Sequence, residues 1–158
     1  MKARAHSPAG FSLIELTLAL GVAAFCLITV FGLVPVALMT QQASVRQTTA
    51  TAIISQIVAD LGAATRLPPG QQSKQFSLKG HWAAQATPDQ LYFMTDGTFI
   101  TGSTNQQTVP TNAVFAAAVT YLNPPTETTS LADITVTWPA QAAVPTGSVE
   151  TFAAINRK

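Results

Sequence analysis

The chain has 158 residues, 47% of them hydrophobic and only 9% charged, with 8 Lys and Arg against 7 Asp and Glu. Ordinary soluble domains carry roughly a quarter charged residues, so Thr, Gln, Ala and Ser must cover most of this surface, and the near-balanced charge suggests neither nucleic-acid binding nor an acidic tail. The length has room for one compact domain plus an extension, and a single cysteine, Cys26, excludes an intrachain disulfide.

The first element is apolar. No residue from Leu16 to Val45 is charged, and the oily part, Leu16 to Met39, would reach about 36 Å as a helix at ~1.5 Å per residue, enough to cross a bilayer core. Ahead of it lies MKARAHSPAG, with Lys2 and Arg4 and no acid. By the positive-inside preference the N-terminus stays in the cytoplasm and the chain beyond Val45 lies outside it. A secretory signal would have a shorter apolar core, about 7 to 15 residues, followed by a small-residue cleavage site. This run is longer and continues into a patterned helix. A plain signal anchor fits the length and would leave Glu15 at headgroup level, although a carboxylate at the membrane is costly and is usually paired or functional.

Gly10-Phe11-Ser12-Leu13-Ile14-Glu15 followed by an uncharged apolar helix resembles the prepilin signature of type IV pilins and of type II secretion pseudopilins. The resemblance implies that a membrane aspartyl peptidase, the prepilin peptidase, cuts between Gly10 and Phe11 on the cytoplasmic side and methylates the new Phe11 amine. It implies that Glu15, the fifth residue after the cut, meets the Phe11 amine of a neighbouring pilin-like subunit in a filament. The spacing has its own physics. Four residues place amine and carboxylate one helical turn apart on one face, at the positive end of the helix dipole, and such a pair is worth far more in a low-dielectric medium than in water. Pro35 removes one backbone hydrogen bond inside the span and is expected to kink it; in the family a proline usually falls a few residues earlier, where this chain has Gly32. Gly21 and Gly32 read as close-packing or flexibility positions. Cys26 reads as a small membrane hydrophobe.

Beyond Met39 the chain turns polar but keeps a helical rhythm. Ala50, Ile53, Ile54, Ile57, Val58 and Leu61 recur at steps of three and four, one apolar stripe for packing on a sheet. Gly62 weakens the pattern and Pro68-Pro69-Gly70 ends it, so one helix from about Phe11 to Ala64 is expected, the shape of the pilin family's N-terminal helix. The polar, breaker-rich stretch from Arg66 to Gly80 reads as the loop crossing to a sheet.

The first strands are expected in LYFMTDGTFIT, Leu91 to Thr101, as a hairpin with a two-residue turn at Asp96-Gly97 that pairs Phe93 with Ile100 and Met94 with Phe99. Asn105 to Asn112 is a loop by composition. Val114 to Leu122 reads as a third strand stopped by Asn123-Pro124-Pro125. Ile134 to Trp138 alternates strictly and ends at Pro139, and Val149 to Ile155 offers the last strand. The fold class is therefore α+β, a pilin-like long helix on a four- to five-stranded antiparallel sheet. Its parts are a leader over 1–10, a transmembrane helix over 11–39, an amphipathic continuation over 40–65 and an extracytoplasmic β-rich head over 66–158. The W-P strand end and the late V-E-T-F strand are also similar to those of prepilin-type proteins of the Verru-Chthon cassette group, particularly its protein B.

Catalytic chemistry is not expected. His6 lies in the leader, and His81 beside Trp82 reads as loop packing, so neither a metal cluster nor a Cys/His pair can be assembled. Asp89, Asp96, Glu127 and Asp133 read as loop acids without clustered calcium-ligand spacing, and no phosphate loop or nucleophile elbow occurs. Arg46, Arg66, Lys74 and Lys79 read as scattered solvated charges with no nucleic-acid role. The expectation is a structural subunit with no cofactor. Its partners would be the prepilin peptidase, other pilin-like subunits and the bacterial inner membrane. The alternative is a single-pass anchored protein whose head binds or adheres without polymerising.

Overall fold

The computed structural model describes residues 10–64, 66–68, 71–78, 87–103, 108–126 and 129–156. Its elements, in order, are a helix α1 over Leu13–Ala64 and five strands: β1 Asp89–Phe93, β2 Phe99–Ser103, β3 Phe115–Thr126, β4 Thr129–Trp138 and β5 Gly147–Asn156. The class is α+β, as the sequence predicts. The chain divides into two compact units, Met1–Gln42 and Ala43–Lys158, and α1 contributes to both.

In the first unit every residue from Leu13 to Gln42 is exposed. This part of α1 is long and apolar enough to cross a membrane. Its hydroxyls are satisfied within the helix: Thr17 donates to the Ile14 carbonyl at 2.9 Å, Thr29 to Phe25 at 2.7 Å and Thr40 to Val36 at 2.9 Å. Such internal bonds suit a helix surrounded by lipid, where an unmet polar group would be expensive. The helix runs without a break through Pro35, whose ring nitrogen has no hydrogen to offer the Phe31 carbonyl.

The second unit holds the core. Ala50, Ile53, Ile54, Ile57, Leu61 and Ala64 are buried along one side of α1, and all but Ala64 join the core formed with the inward residues of the sheet, among them Leu91, Phe93, Phe115, Ala117, Val119, Tyr121, Ile134 and Val136. The stripe is narrower than its sequence suggests on one flank and wider on the other. At ~100° per residue, Val58 and Asp60 lie about 80° to either side of the Ala50 direction; Val58 is 38% exposed, whereas Asp60 is 6% exposed. Only the Asp60 flank is covered, and the segment over 71–78 does the covering.

That segment is the main departure from the expected polar crossing loop. It sends Phe76 and Leu78 into the core, both buried. Phe76 meets Phe93 and Phe99 edge to face, with ring centroids 5.7 and 5.0 Å apart, and Phe93 and Phe99 complete the triangle at 5.7 Å. Ser77 between them takes φ of 56°, a left-handed conformation uncommon outside glycine.

The sheet order is β2-β1-β3-β4-β5, antiparallel throughout. Its first hairpin differs from the expected two-residue turn. The Met94 amide donates to the Thr98 carbonyl at 2.9 Å and the Gly97 amide to Met94 at 3.1 Å. Gly97 is the turn residue with positive φ, at 83°, so the loop is a three-residue turn closed by a left-handed glycine. Phe93 then faces Phe99 rather than Ile100, and a bulge restores Tyr92↔Thr101. Phe93 and Phe99 thereby share the core face, and Met94 is left exposed. The second departure is β3, which continues through Pro124 and Pro125. Its register jumps from Leu122↔Leu131 to Thr126↔Thr129, so the prolines fall in a bulge where no ladder donor is required. Strand β4 is longer than Ile134 to Trp138, and it pairs with β5 without interruption from Thr129↔Asn156 to Trp138↔Gly147.

Candidate functional site

The candidate site is the start of α1. Leu13 is its first residue, and Ser12 stands at the N-cap position: the Ser12 backbone carbonyl accepts from the Leu16 amide at 3.1 Å and from the Glu15 amide at 3.0 Å. A cap residue is defined by accepting the first intrahelical bond while its own backbone lies outside the helix. Gly10 and Phe11 precede the helix and are exposed, Phe11 at 88%. The expected start near Phe11 is thus corrected by two residues, and Phe11, ahead of the helix, does not share a helical face with Glu15. Glu15 itself is an exposed acid in the first helical turn, where the unpaired amides and the dipole favour negative charge.

Sequence reasoning passed over two other features. Ser12, three residues ahead of Glu15, forms the S-x-x-E spacing of a capping box, a signal present in the sequence. The other is Asp60, a buried carboxylate on the flank of the α1 stripe. Ser73 Oγ–H donates to Asp60 Oδ2, the Phe76 amide donates to the same oxygen at 3.1 Å, and the Gln75 amide reaches Oδ1 at 3.4 Å. Ser73 is itself held by the Leu78 amide, which donates to Ser73 Oγ at 2.9 Å, and its own amide donates to the Leu78 carbonyl at 2.8 Å. A clasp of hydrogen bonds accepted by the Asp60 carboxylate therefore fastens the 71–78 segment to α1.

The other acids do not converge. Asp89 is buried at the start of β1 and Asp133 is half-buried on β4, both strand positions where loops were expected, while Asp96 sits in the hairpin turn. The Thr98 amide donates to Asp96 Oδ1 at 2.9 Å, and this bond, with one from the Thr98 side chain, holds the exposed Asp96 carboxyl below its ordinary value of 3.8. Among the described residues no three His, Cys, Asp or Glu side chains gather. Arg46, Arg66 and Lys74 are exposed, as is Cys26 on the apolar helix. Lys2, Arg4, His6, Lys79, His81, Trp82 and Glu127 lie outside the described residues.

No protein-family model, curated protein or solved structure matches this chain. Its likeness to pilins is architectural: a long helix, apolar in its first part, whose second part contacts a five-stranded antiparallel sheet.

Proposed function

We propose that the chain is a prepilin-like structural subunit of a type IV pilus-like or type II secretion-like filament. It is inserted in the bacterial inner membrane with its N-terminus in the cytoplasm, cut by prepilin peptidase between Gly10 and Phe11, and methylated on Phe11. The observation that carries this reading is a continuous helix with two different environments. Residues 13–42 are wholly exposed and almost entirely apolar, ready for lipid or for the helices of other subunits, while residues beyond Ala50 bury a stripe under the sheet. Glu15 is the one acid of the exposed half, and after cleavage it would be the nearest carboxylate to a newly made amine.

Intact-mass measurement of the membrane-extracted protein tests the processing step. A chain beginning at N-methylated Phe11 is the expected result; an intact Met1 start, or a cut after residue 40, would sink the proposal. Assembly is tested separately by Glu15→Ala, which should insert in the membrane but fail to enter filaments. Unchanged incorporation would remove Glu15 from its role.

A further inference from the structure

We propose that the loop over 139–146 is a membrane-surface contact, its tip from Ala142 to Pro145 resting among the lipid headgroups of the bilayer that α1 crosses. The inference rests on the membrane-anchored reading above and adds to it a second point of contact, on the β-rich unit.

The strand register sets which end of the sheet carries this loop. At the β1–β2 turn a Cβ on Gly97 would stand 3.3 Å from Thr49 Cγ2 and 3.7 Å from Ile53 Cγ1, so the turn lies against the early part of the helix in this unit. The pairs Phe93↔Phe115, Ala116↔Thr137 and Trp138↔Gly147 bring the close of β4 and the opening of β5 to the same end. The chain enters this unit at Ala43. From Met39 to Thr49 the helix rises at most about 15 Å, and a headgroup layer of ~5–7 Å takes up to half of that. The 139–146 loop therefore stands at the end of the sheet that the chain reaches first from the apolar run.

Its chemistry suits that place. No residue from Ile134 to Val149 is charged. Ala143, Val144 and Pro145 are exposed, and Val144, at 80%, is the most exposed large hydrophobic side chain among the described residues of this unit. A single exposed valine on a surface is ordinary, but this one stands in an apolar tip that hydrogen bonds hold in place. Gln141 Nε2 donates to the Thr111 carbonyl at 2.7 Å and to the Pro110 carbonyl at 3.2 Å. The Ala140 amide donates to the Val114 carbonyl at 2.8 Å, and the Thr146 amide to the Trp138 carbonyl at 2.9 Å. The tip thus offers apolar side chains with no charge to desolvate, which favours entry into the boundary between headgroups and acyl chains. Arg46 and Asp96, both exposed at this end, are of opposite sign, so the contact needs no anionic lipid.

The full chain, with Cys26→Ala to leave one thiol, is reconstituted in phosphatidylcholine vesicles and labelled with a fluorophore at Val144→Cys or, as the far-end control, at Ala154→Cys, an exposed position near the close of β5. Lipid spin-labelled at its headgroup, in both leaflets, should quench the Val144 label about threefold more than the Ala154 label. With the label moved to Ala143→Cys, adding Val144→Asp should bring quenching down to the control level while near-ultraviolet circular dichroism stays unchanged. Equal quenching at the two ends, or no effect of Val144→Asp, would overturn the inference. So would shielding of the Val144 label that disappears as the protein-to-lipid ratio falls, since a second copy would then be covering the loop. Those outcomes leave the anchor intact, whereas a parent chain that alkaline carbonate strips from the vesicles overturns the membrane-anchored reading and this inference together.

Discussion

Replacing Asp60 tests the clasp that closes the head. Its carboxylate receives the Ser73 hydroxyl and the Phe76 amide on Oδ2 and the Gln75 amide at longer range on Oδ1, in a site where Asp60 is 6% exposed. Hydrogen bonds to a charged acceptor contribute about 1.5–3 kcal/mol each, and a buried donor left without an acceptor costs about 1–3 kcal/mol. Asp60→Ala strands the Phe76 amide and the Ser73 hydroxyl together and opens a small void beside Phe76, so a loss of about 3–5 kcal/mol is expected. Asp60→Asn keeps one acceptor oxygen but turns an amide donor toward groups that are themselves donors, for an expected loss of about 1–3 kcal/mol. Ser73→Ala should cost a similar amount, because Ser73 Oγ also receives the Leu78 amide. The two residues share one network, so the double variant should lose about 1–2 kcal/mol less than the sum of the singles. Denaturant unfolding of the full chain in detergent, followed by near-ultraviolet circular dichroism, reads these differences. An Asp60→Asn chain within about 0.5 kcal/mol of the parent, or strictly additive single losses, would refute the clasp.

Three further outcomes follow from the same geometry. Gly97→Ala should destabilise by about 1–2 kcal/mol, since φ of 83° is unfavourable for an L side chain and the added Cβ would stand 3.3 Å from Thr49 Cγ2 on α1; a neutral effect in the same unfolding assay would contradict the turn. Ile57→Ala, at a fully buried position, should cost about 2–4 kcal/mol and Val58→Ala, 38% exposed, under about 1 kcal/mol, so comparable losses would mean the stripe is misplaced. Asp96 should titrate below 3.8, because the Thr98 amide and hydroxyl favour its charged form. A carboxyl lowered on folding adds stability above its unfolded pKa, and that increment fades as the pH falls through the folded value; carboxyl carbon chemical shifts of Asp96 against pH check the direction.

Most of the order of elements was legible in the chain. The oily stretch from Leu16 to Met39 is long and apolar enough to cross a membrane as a helix, and the three-and-four spacing from Ala50 to Leu61 reports one buried side wherever that helix goes. Strict alternation through Ile134, Val136 and Trp138 is likewise a local property of a strand with one face covered. The cap at Ser12 was also present as a spacing of serine and glutamate. The hairpin is the instructive miss, because Asp96-Gly97 admits two turn types that differ by one residue. The choice was made by packing, since the longer turn with its bulge brings Phe93 and Phe99 to the same side as Phe76.

By itself, then, the sequence determined the long helix, its apolar half and the α+β class, all of which follow from short-range periodicity and charge. Only the tertiary structure decided that a polar loop dips into the core at Phe76 and Leu78, that Asp60 is buried to fasten it, and that β3 passes through two prolines. The first two are outcomes of partners far apart in the chain. Asp60 and Ser73 are thirteen residues apart, and no local pattern distinguishes an acid that will face water from one that will meet a buried hydroxyl and two amides.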